Sequence, residues 1–171
     1  MIKIENVEVV GWNHAIRRMR NPINIGNKSD SGICKGGDNG IGCKNCAGQD
    51  SCTHAYDHSF QLGKRDHELM MRLAAAGPVR AAYRRMIVVY LDITAQSYWW
   101  SQLDAYDIEG GSSSINRTQT VMLNYGVLAE IYQHWREHKL ESEEWNEFCQ
   151  WVEQLPHSEI ITCEAREASN G

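Results

Sequence analysis

Between Asn24 and Gly63 the chain has almost no large apolar residue, and Gly, Asn, Ser and Asp dominate. A connection this long, without the means to bury a core, exceeds what a compact domain normally carries, so something other than packing must tie it down. Its cysteines supply the tie. Cys34, Cys43, Cys46 and Cys52 read C-x8-C-x2-C-x5-C, with His54 and His58 as spare nitrogen donors. A C-x2-C pair lets two thiolates converge on one ion, and Gly36, Gly37, Gly40, Gly42 and Gly48 permit the tight turns around it. Four thiolates suit tetrahedral zinc or an iron–sulfur cluster, and the spacing does not choose between them. A closed four-cysteine site leaves no open coordination position, so the expected role is structural. Cys149 and Cys163 stand apart from this cluster.

The remainder has to supply the core. At 171 residues and 42% hydrophobic content, one domain over 1–171 is expected, with 24–63 as a loop insertion and 164–171 as a flexible tail. The net charge of -5 and a pI near 5.8 speak against a protein that coats duplex nucleic acid, and a small anionic ligand fits better. No apolar run approaches the roughly 20 residues of a membrane span, and Met1-Ile2-Lys3-Ile4-Glu5 lacks a signal-peptide pattern, so a cytoplasmic protein with no membrane partner is expected.

Hydrophobic periodicity places the elements of an α+β fold. Ile2 to Val10 alternates as a strand with one irregularity. Trp12 to Pro22 predicts a short helix capped by Asn13 and ended by Pro22, with Arg17, Arg18 and Arg20 close together beside Asn21. Those arginines read either as a solvated basic face or as a phosphate clamp. Leu69, Leu73 and Ala76 define a helix from Lys64, stopped by Gly77 and Pro78, with His67 as a surface residue. Arg84-Arg85 precedes a buried strand, Met86 to Ile93, after which Thr94 is the expected cap of an aromatic helix. Val121, Tyr125, Leu128, Ile131, Tyr132 and Trp135 predict one long helix from Thr118 to His138, and Trp145 to Leu155 a last one, broken by Pro156.

The aromatic helix and the loop after it carry the candidate chemistry. Tyr98, Trp99, Trp100 and Tyr106 fall on one helix, where neighbours diverge by about 100°, so one face must leave the core. An aromatic there suits stacking on a base, with Gln102 or Asp104 reading its edge; the alternative is that Trp99 and Trp100 fill a subunit interface. Ser112, Ser113, Ser114, Asn116 and Arg117 combine hydroxyls, loop amides, an expected helix start and a fixed charge, a set that favours an anion. The sequence carries no nucleophile elbow, phosphate-binding Gly-rich loop, dinucleotide fingerprint or His-Glu-x-x-His.

Leu69-x3-Leu73 with Ala76-Gly77, then Arg84-Arg85, the strand Ile87 to Ile93, the helix with Gln102, and Ser114-Ile115-Asn116 together resemble the core of a flavin-dependent thymidylate synthase over roughly residues 66 to 135. The chain is especially similar to phage and prophage relatives of that family. These carry segments like Ala15-Ile16-Arg17-Arg18-Met19-Arg20-Asn21-Pro22, Ser29-Asp30-Ser31, Asp92-Ile93-Thr94-Ala95, Tyr98-Trp99-Trp100, Asp104-Ala105-Tyr106 and Arg117-Thr118-x-Thr120-Val121-Met122-Leu123-Asn124-Tyr125. The resemblance implies a homotetramer binding FAD and dUMP between subunits, with a folate carbon donor and a reduced nicotinamide. Yet Arg117 stands where the family has Glu, and the family's Arg-His-Arg falls on or next to Asp104-Ala105-Tyr106. Losing two charged contacts and gaining a carboxylate weakens such binding by several kcal/mol, roughly tens to thousands of times in affinity, so FAD is not expected.

The expectation is therefore a phage-type, non-catalytic nucleotide-binding homotetramer, a sponge for cyclic dinucleotide immune signals in the host cytoplasm. The alternative is a divergent flavin-dependent synthase in which Arg84, Arg85 or the arginines from Arg17 to Arg20 replace the missing cations. A metal-stabilised scaffold without a small ligand is the third reading.

Overall fold

The computed structural model describes residues 1–33, 60–106 and 117–164. In chain order these form β1 (Lys3–Val10), α1 (Trp12–Arg20), β2 (Gly32–Ile33), β3 (Phe60–Gln61), α2 (Lys64–Ala75), β4 (Val88–Ala95), α3 (Ser97–Asp104), β5 (Arg117–Asn124), α4 (Tyr125–Arg136), α5 (Glu143–Val152) and α6 (Glu159–Thr162). Short 3-10 turns cover Asn21–Ile23, Gly26–Lys28 and Ala82–Met86. The fold is α+β. Its sheet has the order β1-β4-β5, antiparallel throughout, with β2 and β3 pairing separately as a second, two-stranded antiparallel sheet. The proposed cysteine ligands Cys34, Cys43, Cys46 and Cys52, the loop residues Ser112, Ser113, Ser114 and Asn116, and the tail past Glu164 lie outside the described residues.

The central strand shows why the sheet sits where it does. Val89, Leu91, Ile93 and Ala95 on one face of β4 are all buried, while Tyr90 on the other is exposed, as a strand covered on one side requires. The irregularity expected in β1 is a register shift between Glu5 and Glu8, with Asn6 in the left-handed region at φ 53°. Asn6 donates from its side chain to Asp92 Oδ2 at 2.7 Å, so the bulge is held by a cross-strand contact.

Three local expectations need correction. The segment 118–138 is not one helix: β5 runs to Asn124, and Asn124 Oδ1 then accepts from the Val127 backbone N–H at 2.8 Å to start α4. Thr118, Thr120 and Val121 are β-branched, and pairing along the whole of β4 outweighs a helical stripe that began at Val121. Asn13 does not cap α1, because the cap position is Gly11 at φ 98°, where a Cβ would lie 2.0 Å from the Met86 carbonyl oxygen. Thr94 does not cap α3 either; it stays in β4 with its hydroxyl 2.6 Å from that of Thr118, and Gln96 takes the cap position. Beyond Pro156 the chain adds α6, which the periodicity does not announce.

The Asn24–Gly63 segment is fastened at both ends by polar contacts, with Phe60 and Leu62 packed against the core. Asp66, fully buried on α2, accepts from Arg20 Nε at 2.6 Å, from the Ser29 hydroxyl at 2.6 Å and from the Ser31 hydroxyl. Asp30 accepts from the Arg65 and Asp66 backbone N–H groups at 2.8 and 3.1 Å, capping α2 from a distance, and Ser31 Oγ accepts from Gly63 N–H. Burial pushes the Asp66 carboxyl up, but the hydrogen bonds from Ser29, Ser31 and Arg20 together outweigh it and hold the carboxyl below its usual range.

Candidate functional site

Arg84 and Arg85 reach a common cleft because of how α2 ends. Gly77, at φ 106°, stops the helix, Pro78 prevents its continuation, and the chain folds back into the Ala82–Met86 turn just before β4. Tyr83 pins that turn: it is buried, and its hydroxyl donates to the Met70 carbonyl oxygen at 2.6 Å. The two arginines that follow line a cavity of about 850 Å³ together with Ala74, Ala81, Gly126, Ala129, Glu130, Gln133, His134 and the C-terminal Ile161, Cys163 and Glu164. Small residues at 74, 81, 126 and 129 make the concavity. At Gly126 a Cβ would sit 3.0 Å from Arg85 Cγ, so the missing side chain gives Arg85 room over the first turn of α4.

Arg84 is the unusual member. It is only 9% exposed, its Nη1 donates to the Ile160 carbonyl oxygen at 3.1 Å, and its buried Nε has no partner among the described residues. Its electrostatic neighbours are Tyr83 and the Cys163 thiol rather than an acid, and burial draws its pKa down from the usual guanidinium value. A buried cation without a carboxylate is costly unless an anion completes it. Of the two acids at the cleft, Glu164 already faces Arg136 at 3.4 Å, which leaves Glu130 opposite two arginines.

The remaining sequence candidates divide clearly. Tyr106 joins the cleft indirectly: its hydroxyl and His134 Nδ1 share a hydrogen bond of 2.8 Å, and burial, then the charge of Glu130, raises its pKa. Gln102 is exposed, but its Oε1 accepts from Trp145 Nε1 at 2.7 Å. Tyr98 hydrogen-bonds Glu144 on α5, which raises the phenol's pKa. Asp104 ends α3, half-buried. Arg17 donates from Nη2 to His14 Nδ1 at 2.6 Å on the exposed side of α1, and Asn21 is exposed at that helix's end. None of these, apart from Tyr106 through His134, is brought to the cleft lined by Arg84 and Arg85.

Three candidates sit differently from the expectation. Trp99 is fully buried against Trp100, Trp145 and Phe148, with ring centroids 5.0 to 5.4 Å away, so it stacks on the chain's own core rather than on a base; Trp100 is equally buried, so neither ring offers a subunit interface. Arg20 is buried and paired with Asp66, its Nε 2.6 Å from Asp66 Oδ1, instead of lying on an open basic face. Arg117 opens β5 opposite Ala95 instead of opening a helix, which removes the helix-terminus part of the proposed anion loop. Trp100 Nε1 ties this strand to α3 by donating to the carbonyl oxygens of Ala95 and Arg117, at 3.2 and 3.3 Å.

Sequence reasoning missed Gly126, Ala129, Gln133 and His134. They recur at helical spacing on one face of α4, and a row of small and polar residues opposite a buried stripe was the available signal. No protein-family model matches this sequence, and no curated protein and no solved structure matches it.

Proposed function

We propose that this chain binds a nucleotide without transforming it, holding the ligand's phosphate between Arg84 and Arg85. The observation that carries the reading is Arg84: a residue only 9% exposed, with an Nε unpaired and no salt bridge to an acid among the described residues, at the wall of a cleft of about 850 Å³. Such a volume lies within the range of small-molecule sites, and arginine grips phosphate oxygens in a fixed planar geometry. Gln133, His134 and Glu130 offer donors and acceptors for a base or ribose edge across the cleft. His134, tied to Tyr106, is the only imidazole there among the described residues.

The resemblance to phage relatives of flavin-dependent thymidylate synthases points to the ligand class. On that ground the ligand is a cyclic dinucleotide signal, sequestered in the host cytoplasm by a homotetramer of thymidylate-synthase-X-like domains. The cysteine-rich insertion belongs to the same proposal, with zinc or an iron–sulfur cluster on Cys34, Cys43, Cys46 and Cys52. The divergent-synthase reading draws on the same two arginines, because Arg84 and Arg85 line the cleft and, with the exposed Arg17 and Arg18, stand as candidates to replace the family's Arg-His-Arg.

A thermal-shift screen over FAD, dUMP and cyclic dinucleotides, followed by recovery of the ligand, separates these readings. A ligand at 100 times its dissociation constant adds about 2.7 kcal/mol of stability. Stabilisation by a cyclic dinucleotide that is recovered intact is the expected outcome. A yellow protein that oxidises a reduced nicotinamide only when dUMP is present would establish the synthase instead.

A further inference from the structure

Apart from the cleft lining, chain segments distant in sequence bring His67, His157 and Glu159 together. His67 sits on α2, Glu159 opens α6, and His157 lies in the turn between α5 and α6. One donor atom from each lies within 4.8 Å of the other two. His67 Nε2 is buried with no hydrogen-bond partner among the described residues, and its nearest acid oxygen, Glu159 Oε2, is 3.7 Å away, beyond hydrogen-bonding reach.

The turn holds His157 in place rather than letting it swing. Its backbone is in the left-handed region at φ 52°, uncommon for a residue with a side chain. Pro156 just before it accepts from the Tyr125 hydroxyl at 2.6 Å, and Ser158 just after it donates from its hydroxyl to the Glu153 carbonyl oxygen at 2.8 Å. The imidazole is packed edge-on against Trp12, at 5.4 Å between centroids, and tilted against His67 at 5.6 Å. Two imidazoles and a carboxylate are thus converged around a buried nitrogen lone pair or N–H that nothing in the described chain satisfies.

We propose that His67, His157 and Glu159 bind a zinc-class divalent cation, with the fourth position left to water. Two nitrogens and one carboxylate oxygen form a donor set that zinc accepts, in tetrahedral geometry. With bonds of about 2.0–2.2 Å, tetrahedral ligand atoms stand roughly 3.4 Å apart, so the His67–Glu159 pair at 3.7 Å is already close to that spacing and no pair has more than about 1.4 Å to close from the 4.8 Å limit. Glu159, whose side chain is 62% exposed, has the freedom to do so, while the half-buried His67 is the fixed point.

A helix of four residues is too short to stand unaided, and the buried Ile160 and Ile161 dock α6 against α2 and α4. A cation shared by His67 and Glu159 fastens its first residue to α2. The same helix carries Ile160, whose carbonyl accepts from Arg84, and Ile161 on the cleft wall, so the ion also sets one wall of that cleft.

Equilibrium dialysis of the full chain against Zn2+, with metal analysis, tests this in wild type and in His67→Ala, His157→Ala and Glu159→Gln. A Cys43→Ser/Cys46→Ser variant separates any zinc on the cysteines. The expected result is one zinc per chain that survives the cysteine substitutions and is weakened more than about 100-fold by either histidine change, since even outer-shell partners cost 10–100-fold. Glu159→Gln, on an exposed side chain, is expected to weaken it at least tenfold and keeps the test valid should a histidine variant fail to fold. Cobalt bound at this site in the cysteine variant is expected to lack the thiolate-to-metal absorption of a sulfur site. Zinc content and affinity unchanged by His157→Ala and Glu159→Gln would overturn the assignment, as would loss of all zinc in the cysteine variant.

Discussion

Replacing Asp66 by Ala removes the acceptor shared by Arg20, Ser29 and Ser31, and the consequence follows from burial. The Arg20 side chain is 4% exposed, so the substitution strands a guanidinium that neither water nor another described acid reaches. Breaking a buried pair from one side costs about 3–5 kcal/mol. Against a typical domain stability of about 5–15 kcal/mol, that is a large fraction. For a chain of this size it lowers the unfolding midpoint by roughly 6–20 °C, at about 2–4 °C per kcal/mol. Arg20→Met removes the charge but leaves Asp66 its two serine donors, so a smaller loss is expected. The double change Arg20→Met/Asp66→Leu is expected to recover most of the difference, because a buried pair and well-packed apolar residues are often equivalent. Urea unfolding followed by tryptophan fluorescence measures all three variants, since Trp99, Trp100 and Trp145 are core residues. A loss of less than about 1 kcal/mol for Asp66→Ala, against the 3–5 expected, would refute the reasoning.

Other consequences are equally direct. Asn124→Ala is expected to cost about 1 kcal/mol by removing the cap of α4, read as a shift in urea midpoint at constant slope. Gly11→Ala is expected to cost at least about 1–3 kcal/mol, because the left-handed backbone is strained for alanine and its Cβ meets the Met86 carbonyl; a neutral result would contradict the geometry of the β1–α1 junction. Burial pushes the Cys149 thiol up to about 12, so it is expected to stay unalkylated by iodoacetamide at pH 8, as read by peptide mass spectrometry, whereas rapid labelling would place it outside the core.

What the sequence made legible is what depends on local pattern. The β1 alternation, its irregularity, and the Gly77-Pro78 stop of α2 were all readable because each is decided within a few residues. The 118–138 segment was misread because Val121 serves two patterns at once, and only pairing with β4, about thirty residues earlier in the chain, selects the strand. Helical geometry alone gives a helix with so many aromatics an outward face, but Trp145 and Phe148 of α5 cover Trp99, which in turn packs on Trp100. Arg84 and Arg85 stood out as cations, but their cleft depends on small residues of α4 that carry no chemistry of their own. His67 read as a surface residue, since its convergence with His157 and Glu159 exists only once α6 is docked.

The claim that Arg84 and Arg85 hold a nucleotide is tested most directly by calorimetric titration of wild type and Arg85→Ala with FAD, dUMP and cyclic dinucleotides. Arg85 is exposed on its turn, so its removal leaves the core untouched. At least one nucleotide is expected to bind the wild type, to weaken by about 1.5–3 kcal/mol in the variant, roughly 10- to 150-fold, and to be recovered unchanged. Equal affinity in both proteins, or no binding of any nucleotide to the wild type, would contradict it.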